Sequence, residues 1–128
     1  MAGAVTAMWK WLTSRWKRHA TDPLSSWFLV RWDDTAVHVD VRPPGGDAWR
    51  ASIQWEAITR VCFKAESYIL SDGIYVFTRE RAESYAIPMD AGGGHEFWDE
   101  LLRRGLFDPE LATRAMTAVD GVFCWPEP

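Results

Sequence analysis

Residues 53–88 hold four short runs rich in β-branched and aromatic side chains, one directly after another. The runs are residues 53–63, 68–70, 74–78 and 85–88, and turn residues separate them, with Ser71-Asp72-Gly73 the tightest turn. Runs this short cannot bury their apolar faces alone. They pair with their neighbours, which predicts an antiparallel sheet that curls or closes. The chain is thereby restricted to a small β-barrel-like domain with helices at its ends, and no chemistry follows from that frame.

Upstream, residues 27–32 form a dense apolar run that predicts a strand buried on both faces, and Asp33-Asp34-Thr35 turns the chain. Val37, Val39 and Val41 alternate with His38, Asp40 and Arg42, the period of a half-buried strand. Beyond the Pro- and Gly-rich loop 43–47, Trp49, Ala51, Ile53 and Trp55 alternate with Arg50, Ser52 and Gln54. The spacing then lengthens to Trp55, Ile58 and Val61, predicting a bulge or a single helical turn at Glu56-Ala57. Residues 68–70 and 74–78 predict a hairpin with Gly73 in the left-handed position. Residues 79–83 read as a charged turn, and Pro88, which lacks a ladder donor, belongs at a strand end.

The glycines at 92–94 mark the change from sheet to helix. Over residues 95–104, Phe97, Trp98, Leu101 and Leu102 share one face, acids come early and arginines late, and Gly105 is a natural stop. Asp108 caps a second helix with Pro109 at its first position. Leu111, Ala115 and Val119 continue that helix's buried face up to Asp120-Gly121. The tail at Val122, Phe123, Cys124 and Trp125 is too apolar to be free, so it should dock on the body. The fold class expected is α+β, one domain over residues 1–128. It comprises a basic amphipathic helix over 1–21, an antiparallel sheet over 26–88 and helices over 94–120.

About seven strands followed by an amphipathic helix resembles the pleckstrin-homology-like superfamily, closest to its small bacterial YcxB-like, GRAM-like branch. The likeness rests on Trp55-x-x-Ile58-x-x-Val61, the hairpin around Tyr68 and Tyr75, Tyr85-Ala86-Ile87-Pro88, and Phe97-Trp98 opening the helix. It covers roughly residues 26–105. The resemblance implies a binding module on a seven-stranded curled sheet capped by one helix, without catalysis or cofactor. Relatives that bind phosphoinositides place several Lys and Arg around the loop joining the first two strands. Here that loop is Asp33-Asp34-Thr35 with only Arg31 beside it, a departure from the lipid-binding pattern. Bacterial relatives often carry membrane spans, whereas no run in this chain approaches the ~18–20 apolar residues a span requires.

Charge and tryptophan content narrow the partners. Residues 1–21 hold Lys10, Arg15, Lys17 and Arg18 and no acid, so with a net charge of −4 overall the remaining residues carry −8. An acidic body repels backbone phosphates, which argues against nucleic acid. Nine Trp residues, each burying about 150–250 Å², exceed what a core of this size encloses, so some are expected at a surface. At helical spacing Val5, Met8, Trp9, Leu12 and Trp16 form one stripe, with Lys10, Lys17 and Arg18 away from it and Trp11 to one side. Trp9, Lys10, Trp11, Arg15, Trp16, Lys17 and Arg18, with Trp125, are therefore the candidate interface. Their partner would be a protein, a second copy or an anionic membrane surface.

Catalytic sets are missing from the sequence. No G-x-S-x-G frame occurs, and His19, His38 and His95 fall on three different elements without metal-ligand spacing. No enzyme activity, cofactor or metal is expected. Two polar candidates stand out: Gly93, Gly94 and His95 at a helix start, where free N–H groups would attract a small anion, and His38 with Asp40 and Arg42 on one strand face. Cys62 and Cys124 lack a CxxC partner and read as reduced, partly buried thiols, and the early charges follow rather than precede apolar residues, unlike a signal peptide. A cytoplasmic protein-interaction module is the expected function. Peripheral membrane binding, an immunity-type inhibitor and a small-ligand barrel are the alternatives.

Overall fold

The computed structural model describes residues 23–66 and 72–127. The expected helix over 1–21 and the strand at 68–70 lie outside the described residues. A four-residue helix α1 (Leu24–Trp27) leads directly into β1 (Phe28–Trp32), β2 (Ala36–Val41) and β3 (Trp49–Gln54), which pair antiparallel in the order β1-β2-β3. A 3-10 turn at Trp55–Ala57 then re-aims the chain into β4 (Ile58–Ala65), at the place where the apolar spacing lengthens. With β5 (Gly73–Thr78), β6 (Arg81–Pro88) and a final β7 (Gly121–Trp125), β4 builds a second antiparallel sheet ordered β6-β5-β4-β7. Helices α2 (Gly94–Arg103) and α3 (Pro109–Thr117) lie between β6 and β7 in the chain.

The class is α+β, but the sheets do not close into a barrel as expected. Two open sheets of three and four strands face each other, and the turn at Trp55–Ala57 makes the corner between them. On one side β1 is joined to the segment after β6, where Val30 N donates to Gly92 O and Gly92 N donates to Phe28 O, both at 2.8 Å. On the other side β3 and β6 stand apart as two edges.

Valines at 37, 39 and 41 and Ile53 point inward from the first sheet, and Val61, Phe63, Ile74, Val76 and Ile87 from the second. Helix α2 wedges Phe97, Trp98 and Leu101 into this interior. Its two adjacent aromatics grip different sheets. Phe97 lies 6.0 Å from Trp32 and 6.2 Å from Trp55, while Trp98 lies 4.9 Å from Phe63 and 4.8 Å from Phe107. Asp108 caps α3 as read from the sequence, its Oδ2 accepting from Leu111 N at 2.9 Å.

Several expectations need correction. The run at 27–32 is not buried on both faces: Leu29 is 42% exposed and Arg31 is exposed, because β1 lies in an open sheet covered on one side. Gly73, expected in the left-handed position of a turn, instead opens β5 without a positive φ and pairs with Lys64 of β4. The charged turn shrinks to Arg79-Glu80, since Arg81 already pairs with Thr78. Helix α3 stops at Thr117, and Val119, expected on its buried face, is 71% exposed. The tail docks as expected, by pairing β7 with β4.

That pairing overturns the reading of two free thiols. Cys62 and Cys124 stand directly opposite in the β4–β7 register, 4.0 Å apart at Cα, and form a disulfide. The partners are 62 residues apart in the chain. Only the added strand brings them together, which is why neither shows a paired spacing in the sequence.

Candidate functional site

The turn between β1 and β2 organises the outer face of the three-stranded sheet. Asp33 closes it as an Asx turn, its Oδ1 accepting from Thr35 N at 2.8 Å and Ala36 N at 2.9 Å. The other carboxylate oxygen, Oδ2, lies 2.9 Å from His38 Nε2, and His38 Nδ1 lies 3.0 Å from Ser52 Oγ across the β2–β3 register. With Nε2–H donating to the carboxylate, Nδ1 accepts from the serine hydroxyl. The His38 hydrogen bond, then the two backbone donors, hold the Asp33 carboxyl down at about 2.

This serine–histidine–aspartate chain has the connectivity that activates a hydroxyl in hydrolases. Hydrolases also shelter the nucleophile and aim preorganised N–H donors at the oxyanion. Here Ser52 is exposed on a sheet face, and the sheet's backbone N–H groups lie in the sheet plane rather than along its side chain. The arrangement therefore fixes the β1–β2 turn against β3. The same turn is bolted to α2: Trp55 Nε1 donates to Asp33 O at 2.8 Å, and the Arg104 guanidinium sits 3.9 Å above the Trp55 ring. Glu100 accepts from Arg103 and, at 2.7 Å, from Arg104 Nε, which together hold its carboxyl at about 2.

Both carboxyls carry folded pKa values below their ordinary ones, 3.8 for Asp33 and 4.5 for Glu100. Their contribution to stability is thus complete above about pH 4.5 and is lost as pH falls towards 2. Urea unfolding followed from pH 6 to 2 should lose stability in that window, and the slope there should flatten in Asp33→Asn and Glu100→Gln. An unchanged slope in both variants would detach these groups from the acid transition.

Near this face a groove lies between the two unjoined edges. Trp49, Arg50, Ala51 and Ser52 of β3 face Arg81, Ser84 and Tyr85 of β6 across a groove of about 270 Å³. It is continuous, through Trp49 and Arg50, with a shallower depression lined by Asp40, Arg42 and Ala48. The inward side chains Trp49, Ala51 and Tyr85 are half-buried and give the groove its apolar floor. Its lips are cationic. Arg50 is 72% exposed and 3.8 Å from Asp40, and Arg42 is 3.4 Å from the same carboxylate, so two arginines share one acid. Arg81 stacks 4.1 Å over Tyr85 and donates to the backbone oxygens of Glu83 and Ser84, with the Glu83 carboxylate at 3.9 Å. Arg81 thereby occupies the edge of β6, whereas among the described residues β3 has no strand on its outer side.

The sequence-predicted residues fall elsewhere. Trp9, Lys10, Trp11, Arg15, Trp16, Lys17 and Arg18 lie outside the described residues. Trp125 is 36% exposed on β7, beside a small cleft of about 110 Å³ with Ile58, Arg60 and Leu106. At the start of α2, Gly93 caps the helix with φ +82°, and a Cβ there would stand 2.3 Å from Val30 O. A Cβ on Gly94 would stand 2.3 Å from Met89 O. Close backbone packing accounts for these glycines, and His95 points to Asp90, 4.0 Å away. His38 bonds Asp33 and Ser52, while Asp40 and Arg42 pair with each other. No described His, Cys, Asp and Glu come together as three or more metal-ligand candidates. Sequence reasoning missed Ser52, Arg81, Ser84 and Tyr85 as one site, because they meet only across two edges. Compared with protein-family models, curated proteins and solved structures, the chain finds no match.

Proposed function

We propose that this chain is a non-enzymatic protein-interaction module that takes an extended, acidic segment of a partner protein along the free edge of β3. One observation carries the reading: a strand edge without a neighbour among the described residues borders a groove with an apolar floor and arginines on both lips. Unpaired edge N–H and C=O groups supply sequence-independent hydrogen bonds to an added strand, and the floor supplies side-chain selectivity. A groove of about 270 Å³ suits one or two side chains of a segment lying across it. Positive lips on a body that is otherwise acidic favour carboxylates. The resemblance of residues 26–105 to the pleckstrin-homology-like superfamily, whose members are binding modules, points the same way.

Selection of displayed random peptides on the immobilised full chain tests this. Peptides with acidic residues beside an aromatic or aliphatic one should be enriched, and their binding should shift amide resonances at residues 49–54 and 81–85. Arg50→Glu should weaken them at least tenfold, about 1.4 kcal/mol. Binders that ignore Arg50→Glu, or that perturb amides elsewhere, would overturn the assignment.

A further inference from the structure

We propose that β7 is a self-association edge, which pairs antiparallel with β7 of a second copy about a two-fold axis at Phe123. This surface is separate from the β3–β6 groove and does not depend on it.

The register with β4 shows which groups of β7 are unpaired among the described residues. Directly opposed residues in an antiparallel pair alternate between hydrogen-bonded pairs, about 5.5 Å apart at Cα, and closer non-bonded pairs, about 4.5 Å apart. Cys62 and Cys124, 4.0 Å apart, are of the close kind, and so is the Lys64–Val122 pair two residues along. The backbone N–H and C=O groups of Val122 and Cys124 therefore point away from β4, at the outer edge of the sheet.

Natural sheets blunt such edges with charge, proline or a bulge. The strand Gly121-Val122-Phe123-Cys124-Trp125 contains none of these. Among the described residues, exposed large apolar side chains include Val122 at 61% and Trp125 at 36% on the strand itself, and Met116 at 48% and Val119 at 71% on the helix and bend just before it. The disulfide fastens the strand in place, so its edge is preorganised for a partner.

A second copy fits this edge because the pairing is self-complementary. A two-fold axis at Phe123 sets Val122 opposite Cys124 of the other chain in both directions, which satisfies the outward groups of each. Pro126, without an N–H, ends the ladder, and Gly121 lies opposite Trp125. A stable dimer buries about 800 Å² per partner, more than five strand residues offer, and Met116 and Val119 beside the strand extend the contact.

Sedimentation equilibrium of the oxidised full chain at physiological salt tests the proposal. The wild type should fit a reversible dimer. Val122→Pro removes an outward N–H and no β4–β7 bond, and should weaken the dimer at least tenfold. Val122→Lys, at an exposed position, should do the same, and it decides the matter if the proline variant fails to fold by circular dichroism. A wild type that is monomeric throughout the concentration series would overturn the proposal. A dimer equally tight in every folded variant would overturn it as well.

Discussion

Removing the disulfide, by reductant or as the double variant Cys62→Ala/Cys124→Ala, is expected to cost about 4 kcal/mol of stability. The cross-link closes a loop spanning 62 residues, and a loop of that length withholds a large share of the unfolded chain's entropy. The loss is severe against the ~5–15 kcal/mol that holds most domains together. It should also be uneven. Within β7, Gly121, Val122 and Trp125 are exposed and only Phe123 and Cys124 are half-buried, so little apolar burial keeps the strand on β4 once the bond is gone. Amides of β7 should lose their hydrogen-exchange protection before those of β5, and limited proteolysis should cut first between α3 and β7. Urea unfolding of the oxidised and reduced forms measures the difference. Equal stabilities, or two titratable thiols in freshly prepared protein, would return the cysteines to the reduced state read from the sequence. The result also bears on location, since structural disulfides persist in oxidising compartments. No described helix is long and apolar enough to cross a membrane, which leaves the compartment to be decided by this experiment.

What was legible in the sequence was local. The alternation of Val37, Val39 and Val41 identifies β2 because a strand covered on one side repeats every two residues. The lengthened spacing at Trp55, Ile58 and Val61 marks the corner between the sheets, and Asp108-Pro109 marks the start of α3, since a corner and a cap each depend on a few consecutive residues. Which edges meet was not legible. Whether β3 and β6 would bond and close a barrel depends on how far the turn at Trp55–Ala57 swings one sheet from the other, and no local signal encodes that angle. The same blindness hid Cys124 from Cys62 and Ser52 from Asp33. His38 was singled out with the wrong companions because neighbours along a strand face are visible in sequence, while neighbours across strands require the register. The groove is the extreme case: Arg50 and Arg81 read separately as ordinary surface charges, and only two unjoined edges make them lips of one site.

Trp98→Ala is expected to cost about 3–5 kcal/mol, the range for deleting a large buried aromatic. The indole is 3% exposed and touches Phe63 on β4 and Phe107 beyond α2, both essentially inaccessible to water. Close-packed neighbours cannot collapse fully into the space left behind, so the lost transfer energy is joined by the cost of a cavity. Trp125→Ala serves as the control, because a tryptophan 36% exposed on an edge strand gives up far less. The position of Trp98 adds a second consequence. Phe97 holds α2 to the first sheet through Trp32 and Trp55, and Trp98 holds it to the second, so truncating Trp98 releases one side of the wedge only. The Glu100–Arg104–Trp55 stack that braces the Asp33 turn should survive, with amide shifts concentrated in β4 and around Phe107 rather than in β1 and β2. If the alanine variant does not fold, Trp98→Phe keeps a ring against Phe63 and should lose a smaller amount with the same one-sided pattern. A loss no larger than that of Trp125→Ala, or shifts spread equally over both sheets, would mean that α2 does not join the sheets through this residue.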